Sequence, residues 1–194
     1  MAVVITDRIM SRDVLYPSLA DKVILDMQNG LADNLDWLSV SFGLTERRIK
    51  EQNGKRYYYP AFYVGQDEYL SLLPDDMQRS YSFFYLEDTQ EVTHSAGRPF
   101  WVSMPFSLVV WVDMRKAGYA DNRDTEVIKR DILRALLNGT HCKEGRFTIN
   151  RIYERPDNVF SNYTLDEVDN QYLMSPFWGI RLTGELTIKD DCIL

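Results

Sequence analysis

The period at which apolar residues recur changes several times along the chain, and each change marks an element. Positions 106–113, Phe-Ser-Leu-Val-Val-Trp-Val-Asp, form an almost continuous apolar run. It is long enough for a strand and too short for a membrane span. Asp121-Asn-Arg-Asp-Thr125 follows, a cluster rich in residues that cap a helix N-terminus. Ile128, Ile132, Ala135 and Leu136 then recur at the spacing that lines one helix face. Asn138-Gly139 is the predicted stop, because glycine accepts the left-handed backbone of a helix C-terminus. Over 146–154 the period falls to two, with Phe147, Ile149 and Tyr153 on one side. The prediction is strand, helix, strand, with one helix laid across a sheet.

Upstream, 13–30 reads as an amphipathic helix. Pro17 fits its opening turn, Leu19, Val23 and Met27 make its stripe, and Gly30 is placed to stop it. A strand is predicted at 35–42. Asn53-Gly54 signals a tight hairpin, since both residues tolerate positive φ, and its arms are 44–51 and 55–64. Pro60 lacks a ladder donor, so the second arm belongs at an edge or carries a bulge. The stretch 65–99 is predicted as an insertion or extended hairpin, with short strands at 69–73 and 81–87. Residues 155–176 form a polar connection with a short helix at 165–171. Last comes a long strand: Trp178, Ile180, Leu182, Leu186 and Ile188 alternate with Arg181, Thr183, Glu185, Thr187 and Lys189. It has one buried and one wet face, with a bulge marked by Gly184. The predicted fold is one α+β domain over 1–194. Helices lie on one face of a largely antiparallel sheet, which contains the strand–helix–strand unit, plus the extended hairpin.

Charge narrows the partners. A formal charge of -7 disfavours a chain that binds nucleic acid as a whole, because phosphate affinity needs a basic face. The N-terminus shows five apolar residues before charge begins, fewer than a signal peptide's apolar core requires. Cys142 and Cys192 are too few for a disulfide framework. Two glycosylation patterns, at Asn138 and Asn162, are then chance matches, and a cytoplasmic protein is the default.

Chemical motifs are sparse. His141-Cys142 offers a thiol beside an imidazole, yet neighbours in a strand point to opposite faces and no further ligand lies at metal spacing. His94 stands apart in a polar loop. Asp166, Glu167 and Asp169 lack the glycine and terminal glutamate of a calcium loop. No phosphate-binding glycine loop, nucleophile elbow or His-Glu-x-x-His is present. No cofactor and no metal is therefore expected. The basic concentration is the hairpin, with Arg47, Arg48, Lys50, Lys55 and Arg56 beside Tyr57, Tyr58 and Tyr59. Such a ribbon suits stacked bases and phosphates. It equally suits a strand edge defended against aggregation, or docking on an acidic surface of an identical subunit.

The order of elements resembles a known family. The leading helix is followed by Tyr57-Tyr-Tyr-Pro-Ala-Phe-Tyr63. Next come the strand 106–113 entering its capped helix 124–137, the strand 146–154 and the final amphipathic strand 178–189. This is similar to the tail-completion or tail-terminator proteins of long-tailed phages and prophages. The resemblance implies a non-enzymatic structural protein that forms a homo-oligomeric ring, a hexamer among its forms, where tail-tube and head-connector proteins meet. It implies a place in the virion or the host cytoplasm, and no membrane. Exposed Arg181, Glu185 and Lys189 of the last strand, with Arg47 and Arg48 of the hairpin, are the candidate assembly residues. Two other readings stand beside it: a nucleic-acid-binding accessory protein using hairpin 44–64, and a small enzyme built from dispersed carboxylates and a histidine.

Overall fold

In the computed structural model, which describes residues 7–12, 18–74, 80–93, 101–119, 125–164 and 174–189, the central apolar run is the second half of a thirteen-residue strand. Of Lys189 only the backbone is described. Along the chain the elements are β1 (Ile9–Met10), α1 (Leu19–Asn34), β2 (Val40–Leu44), β3 (Glu46–Gln52), β4 (Lys55–Gly65), β5 (Glu68–Ser71) and β6 (Tyr81–Leu86). There follow β7 (Glu91–Thr93), β8 (Trp101–Asp113), α2 (Thr125–Leu137), β9 (Gly145–Tyr153), α3 (Pro156–Val159) and β10 (Phe177–Lys189).

The main sheet runs β1-β2-β6-β8-β10-β9, with β7 pairing on β8 beyond the end of β6. β1, β2 and β6 are mutually parallel, and every other pairing is antiparallel. A separate antiparallel sheet is ordered β3-β4-β5. The fold is α+β.

Alternation along β8 explains the layering. Met104, Phe106, Leu108, Val110 and Val112, with Ile180, Leu182, Leu186 and Ile188 of β10, pack against Val23, Ile24, Met27 and Leu31 of α1 and Ile128 and Ile132 of α2. The odd positions Val109 and Trp111 face the other way, beside Val40, Phe42, Tyr81 and Phe83. Against them lie Phe62 and Leu72 of the second sheet region and Val159, Phe160 and Tyr163 around α3. Each of these buried side chains contributes about 1.5–3 kcal/mol on leaving water. So the second face predicted to be wet is covered at one end by the protein's own small sheet and α3. Its other end, around Ser103, Glu185 and Thr148, keeps a polar surface.

Several sequence expectations need correction. Ser18, not a residue near 13, caps α1: its hydroxyl accepts from the Asp21 backbone at 3.2 Å while the Asp21 carboxylate accepts from the Ser18 backbone at 2.8 Å. Pro17 lies outside the described residues. Gly30 does not stop α1, which continues to Asn34. A Cβ there would collide with the Thr140 hydroxyl, so the glycine lets the loop after α2 approach. Gly139 follows α2 as expected, yet it does not have the left-handed φ; its Cβ would press on Asn34 and the Ala135 carbonyl. Both glycines serve the α1–α2 crossing.

β2 starts at Val40, because 35–38 forms a turn that buries Leu35 and Leu38. The stretch 65–99 is divided between the sheets: β5 ends the small one, and β6 lies between β2 and β8 with Phe83 and Phe84 fully buried. The hairpin forms as predicted, with Asn53 at φ 53° and Gly54 at φ 73°. β4 is the central strand of its sheet, however, not an edge. Pro60 is tolerated because its carbonyl accepts from Leu72, just past the end of β5, and its absent N–H faces that same gap. The predicted helix at 165–171 lies outside the described residues.

The bulge does fall at Gly184. Thr183 pairs with Arg151 and Gly184 with Ile149, leaving Asn150 unopposed. The extra residue flips the alternation, so Phe147 and Ile149 face the helices whereas Tyr153 faces the opposite side, beneath Arg181. A Cβ at position 184 would overlap the Thr148 carbonyl. Gly184→Val is therefore expected to cost more than about 2 kcal/mol in urea unfolding, because backbone cannot yield as a side chain can. Gly54→Ala, strained only in its turn, should cost about 1 kcal/mol.

Candidate interaction surface

The candidate residues fall on two elements. β10 carries Arg181 and Glu185 on the same side, since an even spacing along a strand keeps the face. Arg181 sits at the border of the covered area. Its guanidinium donates to the Tyr85 hydroxyl at 3.0 Å and lies 4.5 Å from the Tyr153 ring centroid, and its buried Nε finds no acceptor. That is an anchored side chain, unlike the free surface charge expected. Glu185 is exposed, opposite Pro105 on β8 and Thr148 on β9. Lys189 closes β10, its backbone paired with Trp101.

Arg47 and Arg48 lie on β3, pointing to opposite faces of the small sheet. Arg47 stacks 3.9 Å from the Tyr58 centroid, and Arg48 lies 4.2 Å from that of Tyr69 and 3.8 Å from the Glu46 carboxylate. Each guanidinium takes one face of a ring that a stacked base would need. The arm beyond them, from Lys50 to Arg56, is exposed throughout.

The structure brings Arg47 and Arg181 to one neighbourhood and leaves Glu185 and Arg48 outside it. The link is a tyrosine pair, Tyr85 and Tyr163, whose rings meet edge to face at 5.9 Å. Burial pushes the Tyr163 phenol far up; the nearby Tyr85 and Glu87 add to this, against a Thr45 hydrogen bond and the Arg47 charge. Glu87 also accepts from the Ser107 hydroxyl at 3.1 Å. Tyr163 closes the flap that begins at α3, and the Thr164 hydroxyl accepts from the Tyr58 backbone at 2.9 Å. The cluster ties the small sheet, α3 and β10 together. Its tyrosines were absent from the sequence reading; the available signal was a tyrosine in an apolar strand whose hydroxyl must find a partner.

His141 and Cys142 lie in the loop between α2 and β9. His141 is exposed, and His94 lies outside the described residues. Burial, with Asp26 nearby, pushes the Cys142 thiol up to about 11. Among the described residues no three His, Cys, Asp or Glu side chains gather as metal ligands, and no helix is long and apolar enough to cross a membrane. Asp166, Glu167 and Asp169 lie outside the described residues.

The sheet ends in an open edge. β9 pairs with β10 on one side and with no described strand on the other, and Arg146, Thr148, Asn150, Arg151 and Ile152 are exposed along it. Arg146 lies 5.3 Å from the Trp101 centroid, so the uncovered part of the second face is continuous from β8 to this edge. No protein-family model and no curated protein matches the chain.

A raised thiol pKa favours the folded state while the thiol is protonated. That contribution is intact below about pH 9, the unfolded value, and is lost as pH climbs through about 11. Denaturant titrations from neutral to alkaline pH should show this loss in the natural protein and not in Cys142→Ala. Alkylation of the Cys142 peptide by iodoacetamide, followed by mass spectrometry, should be slow at neutral pH and accelerate over the same range.

Proposed function

We propose that this protein is a non-enzymatic structural subunit that works by assembling with copies of itself, as in the phage and prophage tail-completion proteins whose element order it resembles. In this reading it forms a ring where tail-tube and head-connector proteins meet, in the virion or while the virion is built in the host cell. The observation that carries the reading is the open β9 edge continuous with the uncovered part of the sheet. A nine-residue strand with unpaired backbone groups is a template for strand addition. The covered end of the second face is filled by the small sheet and α3, so strand addition at the β9 edge involves the uncovered end.

Other features agree. Arg181 is held rigidly by Tyr85 and Tyr153, which suits a surface that must present one shape to a neighbour. Glu185 stands next to the bulge glycine, exposed on the same face as Arg181.

Sedimentation velocity across a concentration series, with negative-stain images, is the test. A closed ring is the expected species. Thr148→Lys combined with Ile152→Lys, both on exposed edge positions, should leave the circular dichroism spectrum unchanged and abolish the ring, because lysines blunt strand addition. A monomer at every concentration up to the solubility limit overturns the proposal.

A further inference from the structure

Charge along this chain is separated in space. Residues 47–58 hold five cations and a single anion, +4, so the remaining residues of a chain at -7 carry -11. The basic part is the exposed β3–β4 arm, which leaves the main sheet at the C-terminal end of β2. Ile49, on that arm, is 56% exposed, an apolar side chain without cover.

At the opposite end of the sheet lies an open groove of about 490 Å³. It is bounded by the C-terminus of α1, the turn after β8 and one flank of α2, with Asp36, Trp37, Tyr119 and Asp131 among its walls. Val40 pairs with Tyr81, and Tyr81 with Trp111, which places the start of β2 and the end of β8 together at this end. The last turn of α1 carries Asp33 and no basic residue of its own; the cation at this helix end is Arg8, whose guanidinium donates to the Leu35 carbonyl at 2.8 Å and the Leu38 carbonyl at 3.0 Å. Asp33 and Asp36 are both exposed. The groove's own cation, Lys116, is turned to Asp113 at 3.4 Å. Asp131 accepts from the Tyr119 hydroxyl and lies 3.7 Å from the Arg130 guanidinium. Half-buried Trp37 supplies an apolar floor.

We infer that the occupant of this groove is the β3–β4 arm of a second copy, with Lys55 and Arg56 against Asp33 and Asp36 and Ile49 near Trp37. The two patches differ and sit at opposite ends of the sheet. The contact is therefore head to tail, the type that closes into a ring when its rotation divides a full turn and otherwise runs on as a filament. Charge complementarity would set partner and register, and the apolar contact would add affinity. The inference rests on the assembly reading and adds to the β9 edge a second pair of surfaces that join one copy to the next.

The test is a charge swap read by sedimentation equilibrium. Lys55→Glu with Arg56→Glu should weaken association about tenfold or more, and Asp33→Lys with Asp36→Lys should do the same. Combining all four should restore association, and that rescue also shows that the variants fold. Added salt should weaken the natural contact and the swapped one alike. Association that ignores the arm charges while the β9 edge variant still abolishes it overturns this contact and leaves the assembly reading in place. Loss on arm reversal without rescue by the groove overturns the groove as receptor. A natural protein that stays monomeric overturns both readings. A labelled single-stranded oligonucleotide that binds at physiological salt, with binding lost on arm reversal while association is untouched, assigns the arm to nucleic acid and overturns the inference.

Discussion

The fold depends on one strand that is buried on both faces and paired on both edges. β8 bonds to β10 along all thirteen residues, and its other edge is shared by β6 and β7. Its even positions hold the helices and its odd positions hold the small sheet, so the two hydrophobic clusters share a single backbone. This double duty explains the near-continuous apolar run, which one-sided burial would not demand. It also limits tolerance. A polar substitution at Trp111 or Leu108, each fully buried, strands a polar group in one cluster or the other.

Residue periodicity carried much of this architecture. α2, β10, the hairpin and the bulge at Gly184 were legible because each rests on local rules: helical spacing, strand alternation, positive φ at Asn53-Gly54, and a glycine interrupting an apolar face. The errors share a cause. Gly30 and Gly139 resemble stop signals, but close approach between two helices demands a missing Cβ just as firmly as a left-handed turn does. Tyr153 was assigned to the wrong side because a single unopposed residue, Asn150, reverses everything after it. β6 looked peripheral because its neighbours in the sheet, β2 and β8, are distant in sequence. The cover over Trp111 comes from Phe62 and Phe160, and no period in the chain announces which layer will lie over which.

The candidate surface was legible only as composition. A basic arm in an acidic chain stands out in the sequence, whereas the groove does not: Asp36 follows one helix, Tyr119 follows a strand, and Asp131 lies on another helix, with Asp33 beside them in the last turn of the first. Arg181 was singled out as an exposed assembly residue. Its side chain is held by two tyrosines, 28 and 96 residues away in sequence, and only register brings them together.

Among the described strands, the one furthest along the sequence is not at an edge of the sheet. β10 separates β8 from β9, so both must wait, each with a bare margin, until β10 leaves the ribosome. Synthesis thus passes through an interval in which two sticky borders are exposed at once, a hazard for misassembly that ends only when β10 has been made. A message truncated before residue 177 would yield a species caught in that interval for good, prey for chaperones and proteases instead of a smaller version of the same protein.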